Sequence, residues 1–353
     1  MTKNCLISII TAMLLAMCFA VGCERGVVRL EAPAEPEPQV SHHSSLTNAT
    51  QHTAFEIGEA AEPCIAPDGK TIVFASNHHG QTFDLFARTL GESTVMQITT
   101  DGGDDRQPAI APNGKIMAFV SNRKGNWDIF IREMRPDSPE IQLTNSRSDD
   151  VHPSWSPDGK RLVYSTYNTR KGCWNLWIID FNSTSFQRRS LEVEGLFAEW
   201  CPKAGSETIL FQRPRGRSPH LYTLWTVRSD GTKLIEVLAS ARWAVVSPTW
   251  NHDGEWVVFS SALPKNSGKK DAGNLWVIRG DGKFLTKIGE GYKPQWDAVC
   301  APDGRVFFVM PGERSKNIWS IKPDFDSLPA KNAPAAKPDD DETSDAPPGA
   351  REA

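Results

Sequence analysis

The chain has 353 residues, with 39 Lys and Arg against 43 Asp and Glu, a formal charge of −4 and 12 Trp, the composition of a globular protein that meets water. No block of Lys or Arg offers the footprint of a nucleic-acid binder, so no nucleic-acid partner is expected. The longest apolar run, Leu6 to Val21, is too short to span a bilayer comfortably.

That run follows Lys3 and leads through small residues to Gly22-Cys23, which reads as an export signal over residues 1–22. The stretch Phe19-Ala20-Val21-Gly22-Cys23 resembles the bacterial lipobox, which implies cleavage before Cys23 and acylation of that residue. Ala20 departs from the Leu usual there, and a plain secretory signal is the alternative. Several acyl chains on one residue exceed the single chain that binds membranes only marginally, so the expected anchor is lipid alone. Residues 23–47 are rich in Pro, Glu and Ser and read as a linker; residues 324–353, of Pro, Ala and acid, read as a disordered tail.

Between them, over 48–323, one phrase recurs: APDGKTIVFAS at 66, APNGKIMAFVS at 111, WSPDGKRLVYS at 155, NHDGEWVVFSS at 251 and APDGRVFFVM at 301. Its Asp-Gly or Asn-Gly pairs begin at Asp68, Asn113, Asp158, Asp253 and Asp303, spaced 45, 45, 95 and 50 residues apart. The double gap holds a degenerate sixth copy, EWCPKAGSETILFQ, in which Gly205 keeps the turn glycine. Pro presets φ, Asp bonds the backbone just ahead, and Gly takes the positive φ of a tight hairpin, so the phrase is structural punctuation. A third-strand motif follows each turn: FDLFARTL, WDIFIREM, WNLWIIDF, YTLWTVRS, NLWVIRG and NIWSIKP.

Four short strands per repeat of 40 to 50 residues predict an all-β fold, a six-bladed β-propeller of four-stranded blades. Trp155, Trp200, Trp250 and Trp296 on first strands, with Trp177, Trp276 and Trp319 on third strands, suit the contact between blades. The sixth repeat lacks a fourth strand, and NATQHTAFEI at 48–57 is a strand without a repeat. We expect this N-terminal latch strand to close the ring.

Pro-x-Trp-Ser-Pro-Asp-Gly-Lys, an apolar strand, a Gly-containing loop and Asp-Ile/Leu-aromatic together resemble the PD40, or WD40-like, repeat of the TolB propeller family. The resemblance covers most of the repeat region. It implies a periplasmic, non-enzymatic propeller that binds a protein partner of the bacterial envelope, a lipoprotein or an outer-membrane component. TolB proteins also carry an N-terminal α/β domain, for which only a linker stands here, and they are soluble where this chain looks lipidated. A monomer is expected.

Signatures of zinc proteases, zinc ribbons and serine hydrolases are missing from the sequence, and no metal, cofactor or catalytic residue is assigned. The alternative function is a carbohydrate-active propeller, a lyase or a glycan-binding module, because oligogalacturonate lyases resemble this repeat class and use His with a divalent metal. For that reading His152 faces the channel, with Glu62 and Gln107 at equivalent positions, whereas Phe197, Ser247 and Lys293 at the same position of the other blades make the ring neither consistently polar nor anionic. Cys64 with Cys300 and Cys173 with Cys201 lie on adjacent blades and are candidate disulfides.

Partner binding is expected on the face opposite the Asp-Gly turns, where loops vary most. Its outer set is cationic: Arg123, Lys124, Arg170, Lys171, Arg213, Arg215, Arg217, Lys269 and Lys270. Its inner set is acidic: Asp104, Asp105, Asp149 and Asp150. Such charges would speed association with a complementary surface.

Overall fold

A computed structural model describes residues 48–181, 186–215, 218–239, 244–262, 273–289 and 294–328. Cys23, Arg217, Lys269, Lys270 and Lys293 lie outside the described residues. The chain divides into two units, Met1–Pro323 and Asp324–Ala353. In the second, a 3-10 turn over Phe325–Ser327 is capped by Asp324, whose carboxylate accepts the Ser327 N–H at 3.2 Å.

The first unit is all β. After the two-residue strand β1 (Thr50–Gln51) come β2 (Gly58–Ile65), β3 (Thr71–Ser76), β4 (Asp84–Thr89) and β5 (Val95–Gln97). Four separate four-stranded antiparallel blades follow. The first contains β6 (Asp105–Ile110), β7 (Ile116–Ser121), β8 (Asp128–Glu133) and β9 (Ile141–Gln142). The next contains β10 (Asp150–Trp155), β11 (Arg161–Asn168), β12 (Cys173–Asp180) and β13 (Gln187–Glu194). A third is formed by β14 (Leu196–Trp200), β15 (Thr208–Arg215), β16 (Ser218–Arg228) and β17 (Ile235–Leu238). The fourth is β18 (Ala244–Trp250), β19 (Trp256–Ala262), β20 (Leu275–Arg279) and β21 (Thr286–Gly289). Last come β22 (Trp296–Cys300), β23 (Val306–Pro311) and β24 (Ser315–Ile321).

Six separate blades were expected; the sheets divide instead into these four and one eight-stranded sheet, in the order β22-β23-β24-β2-β3-β4-β5 with β1 also on β24. The cause is local. The free edge of β24 takes β1 antiparallel, at Thr50↔Ser320 and Gln51↔Trp319, and then β2 in parallel, at Gly58↔Ser315 and Glu59↔Lys316. That second pairing fuses the first and last strands of the unit into one sheet.

The hairpin turns behave as their spelling demands. Asp68 Oδ1 accepts the N–H groups of Lys70 and Thr71 at 2.7 and 2.9 Å, and Gly69 takes φ +67°. Asp158, Asp253 and Asp303 each accept the N–H two residues on, at 3.1, 2.8 and 3.1 Å. The sheets pack face against face. Val163 and Ile178 of one blade meet Trp200, Phe211 and Trp225 of the next, and Leu210 and Leu224 of that blade meet Trp250, Phe259 and Trp276 of the following one. Burying such chains contributes roughly 1.5–3 kcal/mol each, which makes these layers the main source of stability.

Candidate functional site: the central channel

Every inner strand carries the same irregularity. Register slips between Ala61 and Cys64, Arg106 and Ala109, Val151 and Ser154, Leu196 and Glu199, Val246 and Thr249, and Trp296 and Val299. At each slip one non-glycine residue adopts positive φ, between +47° and +54°: Glu62, Gln107, His152, Phe197, Ser247 and Asp297. A bulge of this kind turns a side chain out of the ladder, and all six residues line one cavity of about 1270 Å³. The lining runs from the turn residues Pro67, Pro112, Pro157, Pro202 and Pro302 to Asn77, Gln81, Trp127, Tyr167 and Trp174 at the ends of the second and third strands.

Glu62, Gln107 and His152 are therefore brought together, and they bond to one another in series. The Asp297 carboxylate accepts the Glu62 N–H. Glu62 Oε2 accepts the Gln107 N–H at 3.1 Å, and Gln107 Oε1 accepts the His152 N–H at 2.8 Å. The imidazole of His152 lies 3.7 Å, centroid to centroid, from the ring of Phe197. Glu62 pairs with Arg106 at 3.4 Å, and Ser247 Oγ lies 3.4 Å from Asp297 Oδ1.

Lys293 was expected at the sixth position of this level. The bulge instead places Asp297 there. The same shift puts Cys300, not Trp296, in register with Trp155, Trp200 and Trp250; those three are buried, whereas Trp296 is half-buried at the channel wall. Two further groups went unrecognised in the sequence: Asp297 itself and Glu199. The signal for Glu199 was a lone carboxylate inside the apolar strand LFAEW.

Burial sets the electrostatics of the lumen. It pushes the Glu199 carboxyl up to about 7 against the hydrogen bonds that Oε1 accepts from the Trp250 N–H and the Thr249 hydroxyl, both 3.1 Å. Burial, then the charge of Glu62, raises Asp297 to about 6, partly offset by Lys316 and Arg106. Burial lowers His152 to about 3, and its Nδ1 is buried with no partner among the described residues. Among the described residues no group of three or more His, Cys, Asp and Glu is placed to hold a metal ion.

The candidate disulfides are not bridged. Cys64 Sγ sits 4.0 Å from Ile65 O, Cys173 Sγ 3.8 Å from Asn175 Oδ1 and Cys201 Sγ 3.8 Å from Gly254 O, so the sulfurs are directed to their own surroundings. Burial pushes the Cys64 thiol up to about 11, and it also raises Cys300.

The charged loop set splits in two. Lys124, Arg170 and Lys171 are exposed. Arg123 is internal: it pairs with Asp101 at 2.6 Å, with Asp105 at 2.9 Å and with Glu140, and lies over Phe130. Arg213 is half-buried against Glu194 at 3.8 Å, and Arg215 ends strand β15. The acids hold the fold together. Asp104 accepts the Phe83 N–H at 2.8 Å, Asp149 the Trp127 N–H at 3.1 Å and Asp150 the Thr166 hydroxyl at 2.7 Å, while Asp105 is fully buried. Loop composition cannot reveal this, because an aspartate that ties a strand end and one that faces a partner are spelled alike.

Among solved structures, a TolB homologue from Agrobacterium tumefaciens superposes with a TM-score of 0.55 at 19% identity, covering 75% of this chain and 90% of that one. TolB from Acinetobacter baumannii gives 0.51 at 18% identity, covering 65% of this chain and 57% of that one. Oligogalacturonate lyase from Vibrio parahaemolyticus gives 0.56 at 13% identity, covering 77% and 92%. At such identities the likeness is one of fold. No curated protein matches the sequence significantly. The family model of the TolB β-propeller domain, PD40, matches residues 107–299, more than half of the chain, and the chain belongs to that family.

Proposed function

We propose that the chain is a binding propeller of the bacterial envelope that engages a protein partner, and that the channel with its surrounding loops is where the partner docks. The observation that carries this reading is the lumen of about 1270 Å³, whose polar belt is joined by its own hydrogen bonds and whose walls are proline and aromatic. Pockets of this kind, apolar with a few fixed polar groups, bind. Membership of the TolB propeller family supports the same assignment. In this reading the eight-stranded sheet is two blades joined at β24 and β2, which makes six, and β1 is the latch of the last. Cys23 carries the lipid anchor, and the propeller faces the periplasm.

Crosslinking mass spectrometry on intact envelopes tests it. Reproducible crosslinks from Lys124 or Lys171 to one envelope protein, scattered by Cys23→Ala, are the expected result. A second reading, a glycan-binding or glycan-cleaving propeller, is favoured by the fold likeness to oligogalacturonate lyase and by Trp127 and Trp174, half-buried in the channel wall. Turnover or tight binding of an acidic polysaccharide, with no protein crosslinks, would replace the first reading by the second.

A further inference from the structure

Glu199 stands apart from the carboxylates of the lumen's central belt. Glu62 has Arg106 beside it, and Asp297 feels both Arg106 and Lys316. No cation among the described residues pairs with Glu199 or perturbs it. Its Oε1 is fixed by two donors of the neighbouring blade, the Trp250 N–H and the Thr249 hydroxyl. Its Oε2 makes no hydrogen bond among the described residues and is not sealed off from the channel it lines. A carboxylate held rigidly by one oxygen, with the other open to the lumen and no counter-charge beside it, is a socket for a positive group.

The geometry narrows the class of cation. A guanidinium fork takes both oxygens of a carboxylate side by side, and one oxygen here is already committed to two donors. A divalent metal needs several donors, which the described residues do not assemble around Glu199. An ammonium is a compact point charge satisfied by one open oxygen, and its alkyl stem suits walls formed by Pro202 and Pro248 on the same two blades. The thiols of Cys64 and Cys300, whose titration the charge of Glu199 perturbs, are held neutral and offer it no counter-ion.

We infer that Glu199 is the recognition site of the channel for a primary alkylammonium group, supplied by a lysine side chain of a bound protein segment or by a free polyamine. The inference rests on the channel being a binding site but not on the identity of an envelope partner, so the crosslinking result and the one below can fail separately. The ammonium ionises Glu199 and displaces its proton, so binding strengthens as pH rises through neutrality.

The test is titration of the full chain with n-butylammonium, followed by NMR or tryptophan fluorescence at pH 5.5 and 8.5, with 1-butanol as the neutral control. Expected are binding at least tenfold tighter at pH 8.5 than at pH 5.5, a loss of at least tenfold in Glu199→Gln at pH 8.5, and no pH dependence for 1-butanol. The pH comparison on the unmodified chain stands even where the variant fails to fold. Absence of binding, equal binding by Glu199→Gln, or equal binding at both pH values overturns the inference. Two further probes separate the sources: an acetylated and amidated Pro-Lys-Pro peptide binding more tightly than n-butylammonium identifies a protein segment, and spermidine doing so identifies a polyamine.

Discussion

Gln107 holds His152 at two points: its Oε1 accepts the backbone N–H at 2.8 Å, and its Nε2 lies 3.0 Å from the imidazole Nε2. The first contact fixes which end of the amide is oxygen, so the second must be an amide N–H donating to an unprotonated Nε2. The ring proton therefore sits on Nδ1. Nitrogen-detected NMR should find the neutral Nδ1–H tautomer of His152 persisting to about pH 4. An imidazolium signal titrating near pH 6.5 would contradict the arrangement.

The same residue shapes acid stability. Its folded value, about 3, lies below the ordinary 6.5, so the unfolded chain takes up the proton first as pH falls. The contribution is whole above pH 6.5 and is lost toward pH 3, at up to about 1.4 kcal/mol per pH unit. His52, lowered to about 4 mainly by burial and then by the charges of Arg305 and Arg88, acts in the same direction. His152→Asn, which tolerates the left-handed backbone, should flatten the acid limb between pH 6.5 and 4. Urea denaturation at several pH values measures this.

Glu199 works in the opposite sense. A carboxyl raised from 4.5 to about 7 costs stability as pH climbs through that window, and the loss levels off above it. Glu199→Gln keeps an oxygen for the Trp250 and Thr249 donors and removes the ionisation. The variant should match the parent near pH 4 and exceed it at pH 8 by up to about 3 kcal/mol, read from denaturation midpoints.

Arg123 should behave as a structural residue. Its removal strands Asp105, which is fully buried and already pushed to about 7 by burial. Arg123→Leu should therefore cost about 3–5 kcal/mol at pH 8. Charge reversal at Lys124 or Lys171, both exposed, should change stability by less than about 0.5 kcal/mol. Equal thermal shifts for the two kinds of variant would contradict this division.

Asn317 ties the N-terminal segment to the last strand. Its Oδ1 accepts the Thr53 hydroxyl at 3.0 Å and the Phe55 N–H at 2.9 Å, and its Nδ2 donates to Phe55 O at 3.1 Å. Asn317→Leu should cost about 2–4 kcal/mol, since it leaves donors and an acceptor unmet. It should also expose the chain near residue 55 to limited proteolysis well before global unfolding.

The propeller architecture was legible because the Pro-Asp-Gly turn is written into the chain itself: Asp68 and Gly69 do locally what their residue types compel. The central belt was half legible. Glu62, Gln107 and His152 precede a proline that marks the bulge, and their alignment led to the right level. At Asp297 the following residue is Ala298, and the marker is gone. The pairing within the closing sheet was less legible still. Whether β24 takes β1 alone or also β2 depends on where residues 58 and 59 return along an edge, which no local pattern records. Arg123 was misjudged because its partners Asp101, Asp105 and Glu140 meet only after β6 to β9 have assembled into one blade.

The six left-handed positions have one more consequence. Each bulge is held by the ladder on either side, through pairs such as Val151↔Ser165 and Ser154↔Val163, and at Glu62, Gln107 and His152 also by the side chain of a neighbouring bulge, which accepts the backbone N–H. Each inner strand thus presents one letter at the same height of the bore, and where that letter is an amide or a carboxylate it also anchors the neighbouring strand. Six such letters, here Glu, Gln, His, Phe, Ser and Asp, form an address in which a change at Asp297, Glu62 or Gln107 also removes an acceptor from its neighbour.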